Sequence, residues 1–300
     1  MSQMLCILTA LCTGYLFKTL PIKMVILNKI LLCAVITILF VMGYNFGSGS
    51  NFFSNILHTF KIVSVVSINL FVINFLFIII YSRIKLKNQF NTDASSQETK
   101  LGHYFIESCK YLSYIILGIV IGYFLKIPLT HLNLMINLIL LIVLFIIGFQ
   151  LRHQGRSLKT VLLNKTGITI AVLIVISSAI SGIISAQILG INTNIGLVLS
   201  SGFGWYTLSG ILSGQLINAE MGAASFFIDF SREIIAIIII PIIGRFEPLA
   251  CVGYCGSTAL DFTLPVIKTN LHEENVPIAI TSGMILTILV PILIPLVRNF

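Results

Sequence analysis

The chain has 300 residues, of which 57% are hydrophobic and only 9% carry a charged side chain. A soluble domain carries about 25% charged residues and cannot bury this much apolar surface. The composition therefore excludes a soluble enzyme, a nucleic-acid-binding protein and a disordered chain, and it predicts an all-α polytopic membrane protein. The formal net charge of +8 comes from basic residues clustered between apolar runs, which is typical of cytoplasmic loops.

Ten apolar runs follow one another, and each approaches the roughly 20 residues that a helix needs to cross a bilayer. In chain order they cover 4–20, 28–46, 60–82, 111–126, 130–150, 166–190, 196–217, 222–244, 249–268 and 276–298. The first run has no basic residue before it and no clear cleavage site after it, so we expect a retained span rather than a signal peptide. The whole chain, 1–300, is then one transmembrane domain with eight to ten spans.

The distribution of lysine and arginine predicts the orientation of the chain. Basic residues are concentrated in the polar stretches 83–110 and 151–166 and between the first two runs. Placing these loops in the cytoplasm puts both termini outside. The second stretch follows five runs, so the second half of the chain begins from the opposite face. Two halves of five runs each that begin from opposite faces favour a 5+5 inverted repeat of 1–150 and 166–300, although no repeat is visible in the residues themselves.

Two runs are rich in residues that interrupt helices. Run 196–217 contains five glycines, and run 249–268 contains Gly253, Gly256 and Pro265. This density predicts broken or re-entrant helices, which occur in membrane proteins where the irregular backbone lines a cavity. If both runs are re-entrant, the chain has eight full spans, and if both cross the membrane it has ten.

Four charged residues lie well inside apolar runs, away from the run ends, namely Asp229, Arg232 and Glu233 in the eighth run and Asp261 in the ninth. Spacings of three and four residues place the first three on one helical face. Each charge would cost about 2.5–3.5 kcal/mol if it faced lipid, so all must face protein or water. One alternative is that Asp229 and Arg232 form a closed ion pair that only locks helices together. Glu233 has no second basic residue beside it in the sequence, which favours a functional role.

Small and hydroxyl-bearing residues surround Asp261, and a similar stretch surrounds Trp205. Broken helices in transporters expose backbone groups where substrates bind, although Trp205 has the alternative role of an aromatic anchor at the membrane interface. The expected lining residues are Ser201, Gly202, Gly204, Trp205, Thr207, Ser209, Gly256, Ser257, Thr258 and Thr263. Cys251 and Cys255 lack the His or acidic neighbours of a metal site, so neither a metal nor another cofactor is expected.

Four segments of the chain resemble the bacterial lysine exporter LysO family. They are Gly148–Arg152, Ser201–Leu212, Phe226–Ala236 and Cys255–Val266. The resemblance extends over the whole chain and implies an exporter of lysine and toxic analogues such as thialysine, located in the bacterial inner membrane with both termini outside. It places Asp261, Glu233, Asp229 and Arg232 at motif positions. The family pattern also has an acid just after the second span, whereas 43–51 has none here.

Charge balance constrains the mechanism that the resemblance implies. Lysine carries a net charge of +1, and a membrane that is negative inside opposes its export by about 2.3 kcal/mol per 100 mV. A proton that enters as lysine leaves cancels this charge movement, so we expect proton antiport. Asp261 would alternately hold a proton and the substrate ammonium group, with Glu233 assisting.

Two other functions stay open at this point. One is an ion-coupled carrier of a different amino acid or organic solute, since broken helices and buried acids serve either direction of transport. The other is an intramembrane aspartyl protease, but the G-x-G-D signature is absent and Gly204 is followed by Trp205. No enzymatic activity is therefore expected. The expected partners are lysine, a proton and membrane lipid, without nucleic acid, and a homo-oligomer is left open.

Overall fold

A computed structural model describes residues 2–17, 24–49, 52–85, 101–126, 132–153 and 164–298. Within these ranges the chain is helical and contains no β-strand. The helices are α1 (Ser2–Leu16), α2 (Met24–Gly47), α3 (Phe52–Lys85), α4 (Leu101–Leu125), α5 (Leu132–His153), α6 (Lys165–Leu189), α7 (Thr193–Ser200), α8 (Tyr206–Leu216), α9 (Ala219–Ile243), α10 (Pro248–Cys255), a 3₁₀ helix (Gly256–Leu260), α11 (Leu264–Asn270) and α12 (Asn275–Arg298).

Four helical segments are long and apolar enough to cross a bilayer. They are Met24–Gly47, Asn55–Ile84, Lys165–Leu189 and Asn275–Arg298. α9 is equally long, with 25 residues, but it carries the charged residues that the sequence places inside the membrane. The protein is thus a multi-pass helical membrane protein, as the composition predicts, and the number of eight to ten spans stays a prediction.

The helices extend into the polar stretches that the sequence analysis takes as loops. α3 continues to Lys85 and α4 begins at Leu101, so helices overlap both ends of the predicted loop 83–110. The rest of that loop, 86–100, lies outside the described residues, as does 154–163 of the loop 151–166. Apolar runs underestimate helix length because basic residues at a helix end can extend their charged groups to water while the backbone stays helical.

α2 and α4 pack through pairs of glycines spaced four residues apart. A Cβ at Gly43 or Gly47 would fall on the backbone of α4, and a Cβ at Gly118 or Gly122 would fall on the backbone of α2. α1 and α5 approach each other equally closely, at one glycine on each helix. Such glycine pairs let helices associate by direct backbone contact, because apolar side chains gain little by leaving lipid. α2 also contacts α5, so α1, α2, α4 and α5 form one packed group.

α3 packs with the C-terminal helices rather than with its neighbours in sequence. It contacts α6, α9 and α10, and the Ser177 hydroxyl on α6 donates to the Asn74 side chain on α3 at 2.6 Å. The second helix group therefore consists of α3 and α6–α12. The inverted repeat of 1–150 and 166–300 stays a prediction, and the packing of α3 does not follow that division.

Both glycine-rich runs are interrupted helices, as predicted. An irregular segment, 201–205, separates α7 from α8, and the 3₁₀ helix with the residues after it separates α10 from α11. Gly204 and Gly256 have φ angles of +93° and +65°, a region of backbone conformation that glycine adopts without steric cost. We call residues 201–205 the first break and residues 256–263 the second break.

The outer ends of the two interrupted helix pairs lie at opposite ends of α3. Glu220, which follows α8, contacts His58 near the start of α3 at 2.7 Å. Glu247, which precedes α10, contacts Arg83 near the end of α3 at 2.5 Å. Since α3 has 34 residues and each adds about 1.5 Å, these contacts lie far apart along its axis. The end of α8 therefore lies near one end of α3, and the start of α10 lies near the other.

Candidate functional site

The two breaks meet inside the second helix group. The backbone N–H and the hydroxyl of Ser257 both donate to the Phe203 carbonyl, at 2.8 and 3.0 Å. A Cβ at Gly256 would fall on the same carbonyl, and a Cβ at Gly204 would lie 3.2 Å from the Cys255 carbonyl. The glycines that interrupt the helices thus also allow the two backbones to touch.

Asp229 on α9 binds the first break. One of its carboxylate oxygens accepts a hydrogen bond from the Gly204 N–H at 2.8 Å, and the other accepts one from the Ser209 hydroxyl on α8. The side chain is 1% exposed, and a Cβ at Gly202 would fall on its carboxylate. The negative charge lies beside the start of α8, where it interacts favourably with the helix dipole.

Arg232 lies one turn after Asp229 and binds the second interrupted pair. Its Nε donates to the Tyr254 carbonyl at 2.7 Å, and the guanidinium lies 5.2 Å from the centre of the Tyr254 ring. α10 ends at Cys255, so the cation also meets the negative end of that helix dipole. Its two Nη atoms have no hydrogen-bond partner within the described ranges.

Asp229 and Arg232 do not form the closed ion pair that was one alternative from the sequence. Two ion pairs among the described residues are His58–Glu220 and Arg83–Glu247, and neither involves Asp229 or Arg232. The two charges on α9 instead bind different interrupted pairs, Asp229 at the first break and Arg232 at the end of α10. Glu233 follows Arg232 on the same helix and is fully buried. All three charges face protein, as their cost in lipid requires.

Replacing the Tyr254 ring is expected to destabilise the protein far more than removing the Tyr254 hydroxyl. The ring covers Arg232 and packs edge-to-face on Phe71, with ring centres 5.2 Å apart, whereas the hydroxyl has no hydrogen-bond partner within the described part of the chain. Tyr254→Leu should cost about 2–4 kcal/mol, and Tyr254→Phe should be nearly neutral. Thermal unfolding of the purified variants in detergent measures both effects. Equal losses in the two variants would contradict this prediction.

A cavity of about 440 Å³ lies between the two helix groups, beside the meeting breaks. Its lining residues are Asn28, Leu31, Leu32, Val35, Tyr111, Val143, Ile147, Gln150, Gly204, Trp205, Tyr206, Thr207, Leu208, Ile211, Ser257, Thr258, Leu260, Asp261, Phe262 and Thr287. We call this space the first cavity. Asp261 is the only charged side chain among its described lining residues.

Asp261 follows the 3₁₀ helix and is exposed, unlike the three charges on α9. Its N–H donates to the Thr258 carbonyl at 3.1 Å, and its carboxylate accepts from the Phe262 N–H at 2.6 Å. α8 begins in the same cavity, with Trp205 as its cap residue and no side-chain hydrogen bond to the cap. The first cavity thus combines a carboxylate with a helix start whose backbone N–H groups favour an anion.

The structure divides the predicted lining residues into two sets. Those that line the first cavity are Gly204, Trp205, Thr207, Ser257 and Thr258. Those that are buried away from it are Ser201, Gly202, Ser209, Gly256 and Thr263. The position of Trp205 favours its role as a lining residue over that of an interfacial anchor. Whether any of these residues binds a substrate stays a prediction.

Three polar lining residues of the first helix group were not predicted. Asn28 and Gln150 hydrogen-bond to each other through their side chains at 2.9 Å, and Tyr111 lies on α4. The available signal was an isolated amide within an apolar helix, since such groups face protein or water rather than lipid. No group of His, Cys, Asp or Glu that could hold a metal ion occurs in the described residues.

The comparisons with known proteins identify a family. A family model described as lysine exporter LysO matches residues 112–298. The chain is 36% identical over 299 residues to the lysine exporter LysO of Escherichia coli (strain K12), and this alignment covers 98% of each chain. It is also 40% identical over 189 residues to a Haemophilus influenzae protein provisionally named as a lysine exporter, which covers 63% of this chain and 97% of that protein. No solved structure is significantly similar to the chain. The motifs, the helical architecture and the full-length similarity together show that the chain belongs to the lysine exporter LysO family of membrane transporters.

Proposed function

We propose that the chain exports lysine and toxic lysine analogues such as thialysine from the bacterial cytoplasm, in exchange for protons across the inner membrane. The observation that carries this proposal is the first cavity, in which Asp261 is the single charged residue of the described lining. A carboxylate in the lining of a cavity favours a substrate that carries a positive charge. The names of the two relatives point to the same substrate.

The size and chemistry of the first cavity suit lysine. Its volume of about 440 Å³ falls within the range of about 300–1,000 Å³ for small-molecule sites. The ε-ammonium group pairs with Asp261, and the ring of Trp205 offers a cation–π contact worth about 0.5–2 kcal/mol. The α-carboxylate faces the start of α8, where backbone N–H groups and the helix dipole favour a negative charge. A neutral amino acid has no side-chain ammonium group to pair with Asp261.

Proton exchange follows from the charge of the substrate. Lysine that leaves alone moves a positive charge against the membrane potential, whereas exchange for one proton moves no net charge. We assign to Asp261 the alternate binding of the proton and the ammonium group, with the buried Glu233 as its helper. For Asp229 and Arg232 we propose an indirect part in coupling, because Asp229 binds the first break and Arg232 binds Tyr254 at the end of α10, just before the second break.

For the topology we propose eight spans and two re-entrant pairs, with both termini outside. The α7–α8 pair then enters from the outer face and the α10–α11 pair from the cytoplasmic face, which agrees with their contacts at opposite ends of α3. The four short helices have 8, 11, 8 and 7 residues. At about 1.5 Å per residue each reaches roughly half of a 30 Å hydrocarbon layer.

Counterflow in proteoliposomes tests the substrate and the coupling ion. We expect uptake of labelled lysine into vesicles preloaded with lysine or thialysine, and little uptake into vesicles preloaded with leucine. An imposed proton gradient should drive net lysine movement in sodium-free buffer. Movement that requires sodium, or a preference for another solute, would instead support the alternative ion-coupled carrier. Empty vesicles control for leakage, and the absence of lysine counterflow would refute the proposal.

A further inference from the structure

A second cavity, of about 330 Å³, lies at the same boundary between the two helix groups. Its lining residues are Ile38, Met42, Asn45, Ile136, Asn137, Ile211, Gly214, Gln215 and Ala219. The lysine site that we propose in the first cavity does not include this second space. We call this space the second cavity.

The two cavities follow one another along the same three helices. On α2, residues 28–35 line the first cavity and residues 38–45 line the second. α5 and α8 each line the first cavity with one half of their length and the second cavity with the other half. Ile211 on α8 lines both. At about 1.5 Å per residue, Asn28 and Asn45 are roughly 26 Å apart along α2, which approaches the thickness of about 30 Å of a hydrocarbon layer. The cavities therefore lie toward opposite faces of the membrane.

A layer of apolar side chains separates the two cavities. Val35 and Ile38 on α2, Leu140 and Val143 on α5, and Ile211 on α8 are all buried and belong to one apolar cluster. An amino acid with charged groups cannot cross such a layer without shedding its hydration. The layer also lies where the two helix groups meet, so a relative movement of the groups would open it. This arrangement is that of a barrier between two vestibules.

The second cavity differs from the first in its polar groups. Its described lining contains the amides of Asn45, Asn137 and Gln215 and no charged residue. An amide oxygen accepts a hydrogen bond from an ammonium group, and an amide NH₂ donates to a carboxylate. Uncharged partners bind charged groups more weakly than charged ones do. A cationic amino acid would therefore be held less tightly here than beside Asp261, which favours its release.

We propose that the second cavity is the release vestibule for the exported amino acid, with the amides of Asn137 and Gln215 as its ligands and the layer around Ile211 as the barrier. The identity of the ligand rests on the proposed function, whereas the opposite openings of the two cavities do not. With both termini outside, the first cavity opens to the cytoplasm and the second to the exterior.

Cysteine accessibility tests the position of the second cavity. Gln215→Cys and Asn28→Cys are introduced into a chain whose native cysteines are replaced by alanine, and each is treated with a membrane-impermeant maleimide. Gln215→Cys should react in intact cells, and Asn28→Cys should react in inside-out vesicles. External lysine should slow the reaction at Gln215→Cys. Reaction of both positions from the same face would overturn the proposal.

Lysine efflux tests the role of the amides. Gln215→Leu and Asn137→Leu should each lower lysine export by about tenfold, since a charged substrate group loses one hydrogen-bond partner. Leu138→Ala, at an exposed neighbour of Asn137, is the matched control and should export at the wild-type rate. Wild-type rates in both leucine variants would overturn the assigned ligands. If the wild-type chain exports no lysine, the proposed function fails, and the labelling experiment still decides whether the cavities open to opposite faces.

Discussion

Asp261→Asn is expected to abolish proton-driven lysine export while the protein accumulates and unfolds like the wild type. Asparagine has nearly the shape of aspartate, and its carbonyl can still accept the hydrogen bond from the Phe262 N–H. The local fold of the second break should therefore survive. The change removes the only charge of the described first-cavity lining.

Two losses combine in the Asp261→Asn variant. A hydrogen bond between two charged groups is worth about 1.5–3 kcal/mol, so lysine binding should weaken by about 10–100-fold. An amide also cannot take up and release a proton, so exchange of lysine for a proton should stop as well. We therefore expect the rate of proton-driven export to fall by about 100-fold or more.

The decisive measurement compares labelled-lysine efflux from cells that lack their own lysine exporters and are loaded with a lysine dipeptide. They express the wild type, Asp261→Asn or the control Glu274→Gln, which removes an exposed acid from the turn before α12. The control should export normally. Proton-dependent export by Asp261→Asn would show that Asp261 is not the coupling group, and Glu233 would then be the next acid to test.

The sequence predicts which segments are helical and where two of them break, but it does not predict how the helices pair. Long apolar runs mark membrane helices because their backbone must satisfy its own hydrogen bonds. In lipid, however, apolar character does not select a partner, and pairing depends on backbone contacts such as those at Gly43 and Gly118. The membership of α3 in the second helix group could not be predicted for the same reason.

The sequence predicts the lining residues that come from the two breaks, but not those that come from the first helix group. Asp261 and Trp205 stand out because a charge and a large aromatic residue lie among glycines and small polar residues. Asn28 and Gln150 belong to the other helix group, and a single amide in an apolar run is a weak signal. The ion pair between Asp229 and Arg232 was a reasonable alternative from their spacing on one helix. Spacing alone does not reveal that the two breaks approach α9 from different ends.

Asp229→Leu is expected to prevent the protein from folding stably, whereas Asp229→Asn should leave it close to the wild type. In the leucine variant the buried Gly204 N–H and Ser209 hydroxyl lose their acceptor, at about 1–3 kcal/mol each. Arg232 also loses the negative charge that lies one turn before it on α9. A total of roughly 3–5 kcal/mol is a large share of the 5–15 kcal/mol that keeps a typical protein folded.

Asparagine can restore both hydrogen bonds of Asp229. Its carbonyl accepts from the Gly204 N–H, and its amide NH₂ donates to the Ser209 oxygen after the hydroxyl rotates. Because Asp229 does not line the first cavity, the asparagine variant should also keep lysine export within a few-fold of the wild type. Ser209→Ala, which removes one of the two hydrogen bonds, should lie between the variants, with a loss of about 1 kcal/mol.

Melting temperatures in detergent and lysine efflux, measured on the same three variants, separate two roles of Asp229. If Asp229→Asn melts like the wild type and exports lysine, Asp229 acts by holding the first break against α9. If it melts like the wild type but exports nothing, the carboxylate takes a direct part in proton coupling. If it unfolds as readily as Asp229→Leu, Arg232 requires the negative charge itself, because both hydrogen bonds can form with asparagine.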